Sequence, residues 1–238
     1  MGICKFCNQE RELCDSHIIP EFMYKPMYQE KHQFYELSNI KKVRYHQKGL
    51  REKLLCKKCE SFFSVYEGYA ASVFRKISNY SLDYNKGFII IPDVDYIKYK
   101  LFLLSVLWRM SISKKSVFKI SSLGPYKERI HNLLLNKDPG KTYQYTFHQG
   151  IILLNGKQEK DLIVPPNSKR INGINTHSFV MHGMLFIINC VNHQINNQIP
   201  PSLKIDNNLV IYILEGSKID SFISFMNEIL QNNPSLDI

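Results

Sequence analysis

Four of the six cysteines in this chain stand in two Cys-x-x-Cys pairs, Cys4 with Cys7 and Cys56 with Cys59. A tight turn can present both thiolates of such a pair to one ion, and two pairs complete a tetrahedral site that has no open position for chemistry. Two such pairs among so few cysteines are more than chance would supply. The sequence therefore predicts a structural zinc ion held by these four residues.

A second ligand set lies within the first twenty residues. Cys14 and His17 are themselves separated by two residues, so Cys4, Cys7, Cys14 and His17 could also surround a metal ion. That arrangement would leave Cys56 and Cys59 as an unpartnered pair. Both arrangements stay open at the level of sequence. Cys190 lies in an apolar strand pattern and is expected to be a buried free cysteine.

Positive charge is concentrated around the second cysteine pair. The chain has a formal net charge of +10 and a pI near 9.2, which favours a polyanionic partner. Between residues 41 and 58 there is one acid, Glu52, and there are eight basic residues: Lys41, Lys42, Arg44, Lys48, Arg51, Lys53, Lys57 and Lys58. This run is either a solvated basic surface or a surface that binds phosphates.

The order of "CKFC", then "SHIIP", then "LCKKCE" resembles the HNH endonuclease family, in its zinc-bracketed branch. The resemblance covers residues 4 to about 78. It implies a ββα-metal hairpin and helix, in which the histidine of the "HIxP" strand deprotonates water, an asparagine orients it, and a residue at the start of the helix binds a divalent metal. It places the general base at His17 and the metal ligand at Glu60, directly after the second cysteine pair.

The resemblance implies further roles for neighbouring residues. Glu60, with Asp15, would hold Mg²⁺ or Mn²⁺, because carboxylates are hard oxygen ligands. Arg51 could clamp a phosphate through two oxygens at once, and Lys48 and Lys53 would add attraction to nucleic acid of any sequence. The zinc would fix the strands so that His17 and Glu60 face each other. Together these roles predict a DNA endonuclease, and the resemblance makes a part in prokaryotic defence a reasonable expectation.

The chain departs from the family pattern at three positions. Ser16 precedes the base where relatives often have an acidic metal ligand, and Glu60 replaces a histidine that is common in relatives. The middle asparagine is missing, and Arg51 to Lys53 occupy its neighbourhood. A zinc-stabilised module that binds nucleic acid or protein without cutting is therefore the alternative function. In that case His17 is an ordinary structural residue, and Glu60 is an acid favoured by the helix dipole.

Composition bounds the class of protein. A hydrophobic content of 44% with 22% charged residues is typical of a folded globular chain. The start has no apolar signal-peptide core, and no apolar run reaches the roughly 18 residues of a membrane span. We therefore expect a cytoplasmic protein with no membrane partner. A protein partner, or a second copy bound through the C-terminal domain, is a further expectation.

The elements that position these residues follow from periodicity. Apolar residues at three-to-four spacing predict a helix over residues 60 to about 78, with Glu67 facing solvent, and a second helix over Val94–Met110. Pro125 marks another helix start. From Thr142 onward the pattern predicts strands and then a C-terminal helix from Ser217, with His177, His182 and His193 as structural residues.

A turn-rich stretch near residues 79 to 87 is the best candidate for a domain boundary. The predicted class is α+β. A small zinc-bound ββα-metal module over residues 1 to 80 precedes a larger α+β domain, residues 88 to 238, whose role is recognition, regulation or assembly.

Overall fold

A two-stranded antiparallel hairpin and the long helix that follows it contain most of the candidate site residues. The computed structural model describes residues 1–28, 34–36, 44–46, 49–118, 122–158, 160, 164–171, 173–191 and 201–218. In chain order, the first elements are β1 (Gly2–Ile3), β2 (Glu10–Arg11), β3 (Leu13–His17), α1 (Glu21–Tyr24), β4 (Phe34–Glu36), β5 (Arg44–His46), β6 (Arg51–Cys56) and α2 (Lys57–Ser78).

The rest of the described chain adds two buried or half-buried helices and a large sheet. These elements are β7 (Phe88–Ile91), α3 (Tyr96–Ile112), α4 (Tyr126–Asn136), β8 (Thr146–Leu154), β9 (Lys157–Gln158), β10 (Val164–Ile171), β11 (Ile174–Met181), β12 (Met184–Cys190) and β13 (Leu209–Glu215). The class is mixed α+β, as the sequence predicts.

Strands β3 and β6 form the hairpin, although 33 residues separate them in sequence. Leu13 pairs with Cys56 at one end, and His17 pairs with Arg51 at the other. A register shift between Leu13 and Asp15 marks a bulge, which bends the strand. The strand predicted over "SHIIP" ends at His17, because Ile18 and Ile19 leave the hairpin as a bend and are buried.

Helix α2 begins at Lys57, directly after the last hairpin residue. Its buried residues follow the predicted three-to-four spacing: Phe63, Tyr66, Ala70, Val73, Phe74 and Ile77. The predicted helix over residues 60 to 78 is therefore confirmed, with one further turn at its start. Arg75 and Lys76 in the last turn face the negative end of the helix dipole.

Helix α3 is buried along nearly its whole length, so it has no clear polar face. Its start is fixed by Asp95, whose carboxylate accepts a hydrogen bond from the Lys98 amide at 2.9 Å. Helix α4 begins directly after Pro125, as predicted. Helices α2 and α3 pack against each other, and α3 also packs against α4.

Among the described residues the large sheet has seven strands, of which six follow the order β10-β11-β12-β8-β13-β7, and β9 pairs with β8. All neighbours are antiparallel except β13 and β8, which are parallel. Of the strands that the pattern predicts from Thr142 onward, β8, the β11–β12 hairpin and β13 are confirmed. The predicted C-terminal helix lies almost wholly outside the described residues, as do His193, Lys41, Lys42 and Lys48.

His177 and His182 differ in their positions, since one lies in a strand and the other in a turn. His177 is in β11, and its Nδ1 lies 2.7 Å from the Ser168 hydroxyl. His182 is the turn residue between β11 and β12, with a positive φ of 56°. Its ring packs edge-on against Phe74 of α2. Burial lowers the pKa of each histidine to about 4.

One hydrophobic core runs across the predicted domain boundary. The buried cluster extends from Cys4 to Ile213, and within it the Phe6 ring lies 5.6 Å from the Trp108 ring. The stretch from residue 79 to 87 holds a single-turn 3₁₀ helix, Tyr84–Lys86, which Gly87 ends with a φ of 71°. The division into two domains stays a prediction. Within the described part of the chain, no helix is long and apolar enough to cross a membrane.

Candidate metal centre and catalytic site

The two cysteine pairs meet at one end of the hairpin. Their four sulfur atoms, from Cys4, Cys7, Cys56 and Cys59, all lie within 4.8 Å of one another. The Cys7 and Cys56 sulfurs are 3.9 Å apart. Four thiolates around one zinc ion at 2.3 Å bonds would be about 3.8 Å from each other, so the spacing fits a tetrahedral thiolate site. None of the six cysteines forms a disulfide.

Backbone amides favour the thiolate form of Cys4, which is the form that binds a metal cation. The Cys56 amide donates to the Cys4 sulfur at 3.3 Å. Burial opposes ionisation of Cys4, but amide hydrogen bonds from Cys7, Cys56 and Phe6 outweigh it and lower its pKa to about 7. Burial and the neighbouring sulfurs raise the pKa of Cys59. Four thiolates in contact repel one another, and a dication between them removes that repulsion.

Helices α3 and α4 pack against the first cysteine pair. Phe6 lies between Cys4 and Cys7, and its carbonyl oxygen is 2.8 Å from Nε2 of His131 in α4. The His131 ring stacks on Trp108 with an interplanar angle of 8°. Trp108 is the one tryptophan of the chain. Its fluorescence should therefore respond to a change in the turn from Cys4 to Cys7, which we call the first knuckle.

The alternative ligand set, which includes Cys14 and His17, is not brought together in the structure. Neither Cys14 nor His17 belongs to the sulfur cluster. Cys14 is half-buried, and burial together with the nearby Glu60 carboxylate raises its pKa. His17 pairs with Arg51 at the other end of β3, four residues from Leu13. At about 3.3 Å per residue, that end of the strand is about 13 Å from the cysteine end.

His17 has a carboxylate partner that sequence reasoning missed. Its Nε2 atom contacts Oε2 of Glu21, the first residue of α1, and both atoms are buried. The same Glu21 oxygen lies 3.5 Å from Nη2 of Arg51. A carboxylate beside Nε2 favours the proton on that nitrogen, which leaves the lone pair on Nδ1. The His17 side chain is 22% exposed.

Glu21 is itself held by a chain of hydrogen bonds. The Tyr28 hydroxyl bonds to the Glu21 carboxylate and accepts the Gly49 amide at 2.8 Å. The buried Tyr24 hydroxyl accepts the next amide, that of Leu50, at 3.3 Å. These bonds anchor the chain where it re-enters the hairpin, and they place the carboxylate beside the imidazole.

The environment of His17 keeps its imidazole neutral. Burial is the main cause of a lowered pKa, and the positive charge of Arg51 lowers it further. Glu21 and Glu67 act in the opposite direction but do not outweigh these effects. A neutral imidazole with a fixed tautomer can accept a proton from water.

Arg109 of α3 supports His17 from the core. It is 1% exposed, and its Nη1 atom lies 2.7 Å from Oε1 of Glu67 and 2.9 Å from the His17 carbonyl oxygen. Glu67 is therefore the partner of a buried cation, and its expected solvent-facing position is wrong. The guanidinium also lies over the Phe63 ring, 5.6 Å from its centre.

Glu60 and Asp15 are not part of the cluster that His17 forms with Glu21 and Arg51. Glu60 is in the first turn of α2, beside Cys14, and one of its oxygens is buried without a hydrogen-bond partner. Asp15 is exposed and pairs with Lys53 across the hairpin. In the described part of the chain, neither belongs to a group of three or more candidate ligands. The divalent-ion site at these two residues stays a prediction. Ser16 is no ligand, because it is buried and its hydroxyl accepts the Leu55 amide at 3.1 Å.

The predicted phosphate-binding residues lie on β6. The Arg51 side chain is 32% exposed beside His17 and Glu21. Lys53 is exposed, and its ammonium group donates to the Leu13 carbonyl oxygen at 3.1 Å. Lys48 lies outside the described residues. His17 and Arg51 are thus brought together by strand register, whereas the Lys53 ammonium group is bonded at the Leu13 end of the hairpin.

The chain was compared with protein-family models, with curated proteins and with solved structures, and none of the three comparisons gave a match.

Proposed function

We propose that this chain is an HNH-type endonuclease that hydrolyses phosphodiester bonds in DNA, with His17 as its general base. The single observation that carries the proposal is the contact between His17 and Glu21 at the end of a cysteine-bracketed hairpin, with Arg51 beside it. A carboxylate beside an imidazole, next to a half-buried guanidinium, is an arrangement suited to activating water near a phosphate.

Each residue has a defined task in this proposal. His17 Nδ1 takes a proton from the attacking water, and Glu21 fixes the tautomer and stabilises the imidazolium that forms. Arg51 binds phosphate oxygens and attracts the backbone. Mg²⁺ or Mn²⁺ is the cofactor that the family resemblance implies, and such an ion would supply further positive charge for the phosphate.

Zinc is the metal that suits the four thiols, since a closed tetrahedral thiolate site is typical of structural zinc in a reducing compartment. Bound there, it would join the end of β6 and the start of α2 to the first knuckle. The ion would contribute stability and would take no part in catalysis. A role in prokaryotic defence is part of the same proposal and is carried by the resemblance alone.

The proposal is tested by nicking of supercoiled plasmid in Mg²⁺ or Mn²⁺. We expect His17→Ala to lower the rate by about 10²- to 10⁴-fold, the usual share of a general base. Glu21→Gln keeps an acceptor but loses the charge, and we expect a loss of about 10- to 100-fold, as for other groups that orient a functional histidine. Glu128→Gln removes an exposed carboxylate of α4 and should leave the rate unchanged.

Zinc content should be the same in all of these variants. If wild type cuts no faster than His17→Ala in either metal while both bind the plasmid, the chain is instead a zinc-stabilised binding module. If His17→Ala loses zinc, His17 is a metal ligand and the assignment of the base is wrong.

A further inference from the structure

We propose that the loop Ser113–Lys115, at the end of α3, is part of the surface that binds the nucleic-acid backbone. The inference rests on the proposed function for its choice of ligand. It extends the binding surface from the hairpin to residues beyond the family resemblance, which ends near residue 78. The chemistry that this loop recognises is the phosphodiester group.

Glu52 fixes the loop against strand β6. Its Oε2 atom accepts the Ser113 hydroxyl at 2.8 Å and the Lys114 amide at 2.9 Å. The Ser113 hydroxyl also accepts the Lys115 amide at 3.2 Å. On the far side of the loop, Phe118 is buried in the core. The loop is therefore held at both ends and does not need to order when a ligand binds.

The position of Glu52 ties the loop to the same end of the hairpin as His17 and Arg51. Glu52 pairs with Ser16 in the hairpin register, next to the pair formed by His17 and Arg51. Its two neighbours in β6 are Arg51 and Lys53. The Glu52 carboxylate accepts a backbone amide and a hydroxyl of the loop, so the one acid in the basic run anchors the loop. The Lys114 side chain remains exposed.

The lysines of the loop have no carboxylate partner among the described residues. The ion pairs of that part of the chain involve other cations, such as Lys98 with Asp95 and Arg109 with Glu67. Two ammonium groups without a carboxylate partner among the described residues, on a loop fixed to strand β6, form a positive edge on the pair of strands that carries Arg51. Such an edge attracts a polyanion of any sequence and positions it without reading bases.

The alternative role for these lysines is local. Cations after the end of a helix stabilise it through the helix dipole, by about 0.3 to 1 kcal/mol. In that case replacing them would lower stability slightly and leave nucleic-acid binding unchanged. The two roles are therefore separable by experiment.

The test is fluorescence anisotropy with a short labelled DNA duplex over a range of salt concentrations, in a His17→Ala background so that no cleavage is needed. We expect Lys114→Ala with Lys115→Ala to weaken binding by about tenfold at low salt and to reduce the slope of log affinity against log salt by about 1 to 2. The matched control is Lys86→Ala with Lys204→Ala, which removes the same charge from two exposed positions on the sheet side of the molecule.

Lys204 of the control pair is far from the loop. Lys204 is close in the chain to Asn207, which bonds to Tyr96 at the start of α3. The two ends of this 17-residue helix are about 25 Å apart. The control pair should leave the salt slope unchanged. Equal effects of the two pairs, or none from the loop pair, would overturn the inference.

Vesicles containing phosphatidylserine form a second arm, because lipid phosphates offer similar chemistry. If the loop lysines are needed for vesicle binding and not for DNA binding, the ligand is a membrane surface and the inference fails. Failure of the plasmid assay alone does not affect this result, since binding is measured in a variant without the base. The inference and the proposed function can thus fail separately.

Discussion

Arg109 and His17 are 92 residues apart in sequence, yet Nη1 of Arg109 donates to the His17 carbonyl oxygen at 2.9 Å. The same nitrogen binds Glu67. A buried guanidinium thus joins the end of strand β3, the middle of α2 and the core helix α3. The proposed base is consequently fixed by a residue from the part of the chain that the family resemblance does not cover.

Loss of the Arg109 guanidinium should lower the stability of the fold. Arg109→Met leaves the Glu67 carboxylate and the His17 carbonyl without their partner, and breaking a buried ion pair typically costs about 3 to 5 kcal/mol. We expect a decrease of about 3 kcal/mol in the free energy of unfolding, measured by urea denaturation. Arg129→Met, which removes an exposed arginine of α4, should change it by about 0.5 kcal/mol or less. Equal stability of the Arg109→Met variant and the wild type would contradict the importance of this ion pair.

The cysteine geometry makes a prediction about metal content. We expect one zinc ion per chain in wild type and in Cys14→Ser, because Cys14 lies outside the sulfur cluster. Cys59→Ser removes one of the four sulfurs and should lose most of the zinc. Chelation of wild type should change the fluorescence of Trp108, which packs on Phe6 of the first knuckle. Loss of zinc from Cys14→Ser would instead support the set that includes Cys14 and His17.

The cysteine cluster and the helices could be predicted because their signals are local. A Cys-x-x-Cys pair forms one turn, and the period of α2 is visible in its apolar residues. The partner of His17 was missed although its signal is also local. Glu21 stands four residues after His17, with Pro20 before a helix start, and this spacing is a usable signal. The bend at Ile18 and Ile19 that completes the contact follows from burial of both side chains in the core.

The choice between Glu60 and Glu67 could not be made from sequence. Both lie on α2, and which of them approaches His17 depends on how the helix runs back across the hairpin. Glu60 begins the helix at the cysteine end, whereas Glu67, about 10 Å further along, reaches the His17 end. Arg109 was a visible anomaly, a cation within a nearly continuous apolar run. Its partners come from distant segments, so sequence alone does not identify them.

The two buried histidines of the sheet predict a dependence of stability on pH. His177 and His182 have pKa values lowered from 6.5 to about 4 by burial. Below pH 6.5 the unfolded chain binds protons at these positions and the folded chain does not, so acidification favours unfolding. Between pH 7 and pH 5 we expect a loss of about 2 kcal/mol per histidine.

The measurement is urea denaturation at a series of pH values. His177→Asn should be less stable than wild type at pH 7, because the bond to Ser168 is altered. It should nevertheless lose less stability between pH 7 and pH 5, since one of the two depressed imidazoles is gone. An unchanged pH slope in this variant would show that His177 ionises normally in the folded protein.

Two glycines of the N-terminal half make opposite predictions for the same substitution. A Cβ atom on Gly49 would lie 2.6 Å from the buried Tyr24 ring and 3.3 Å from Cδ2 of His17. Gly49→Ala must therefore displace Tyr24 or the chain that returns to the hairpin, and such overpacking costs about 1 to 3 kcal/mol. The displacement also disturbs the bonds from Tyr28 and Tyr24 that place Glu21, so plasmid nicking should fall along with stability.

Gly68 lies on the exposed side of α2, where a Cβ atom would meet nothing within 4 Å. Gly68→Ala should raise the free energy of unfolding by about 0.5 to 1 kcal/mol, because alanine is the better helix former, and it should leave nicking unchanged. Urea denaturation and the plasmid assay on both variants check the pair. If Gly49→Ala were as stable and as active as Gly68→Ala, the close approach of Gly49 to Tyr24 and His17 would not constrain the site, and the proposed placement of Glu21 would lose its support.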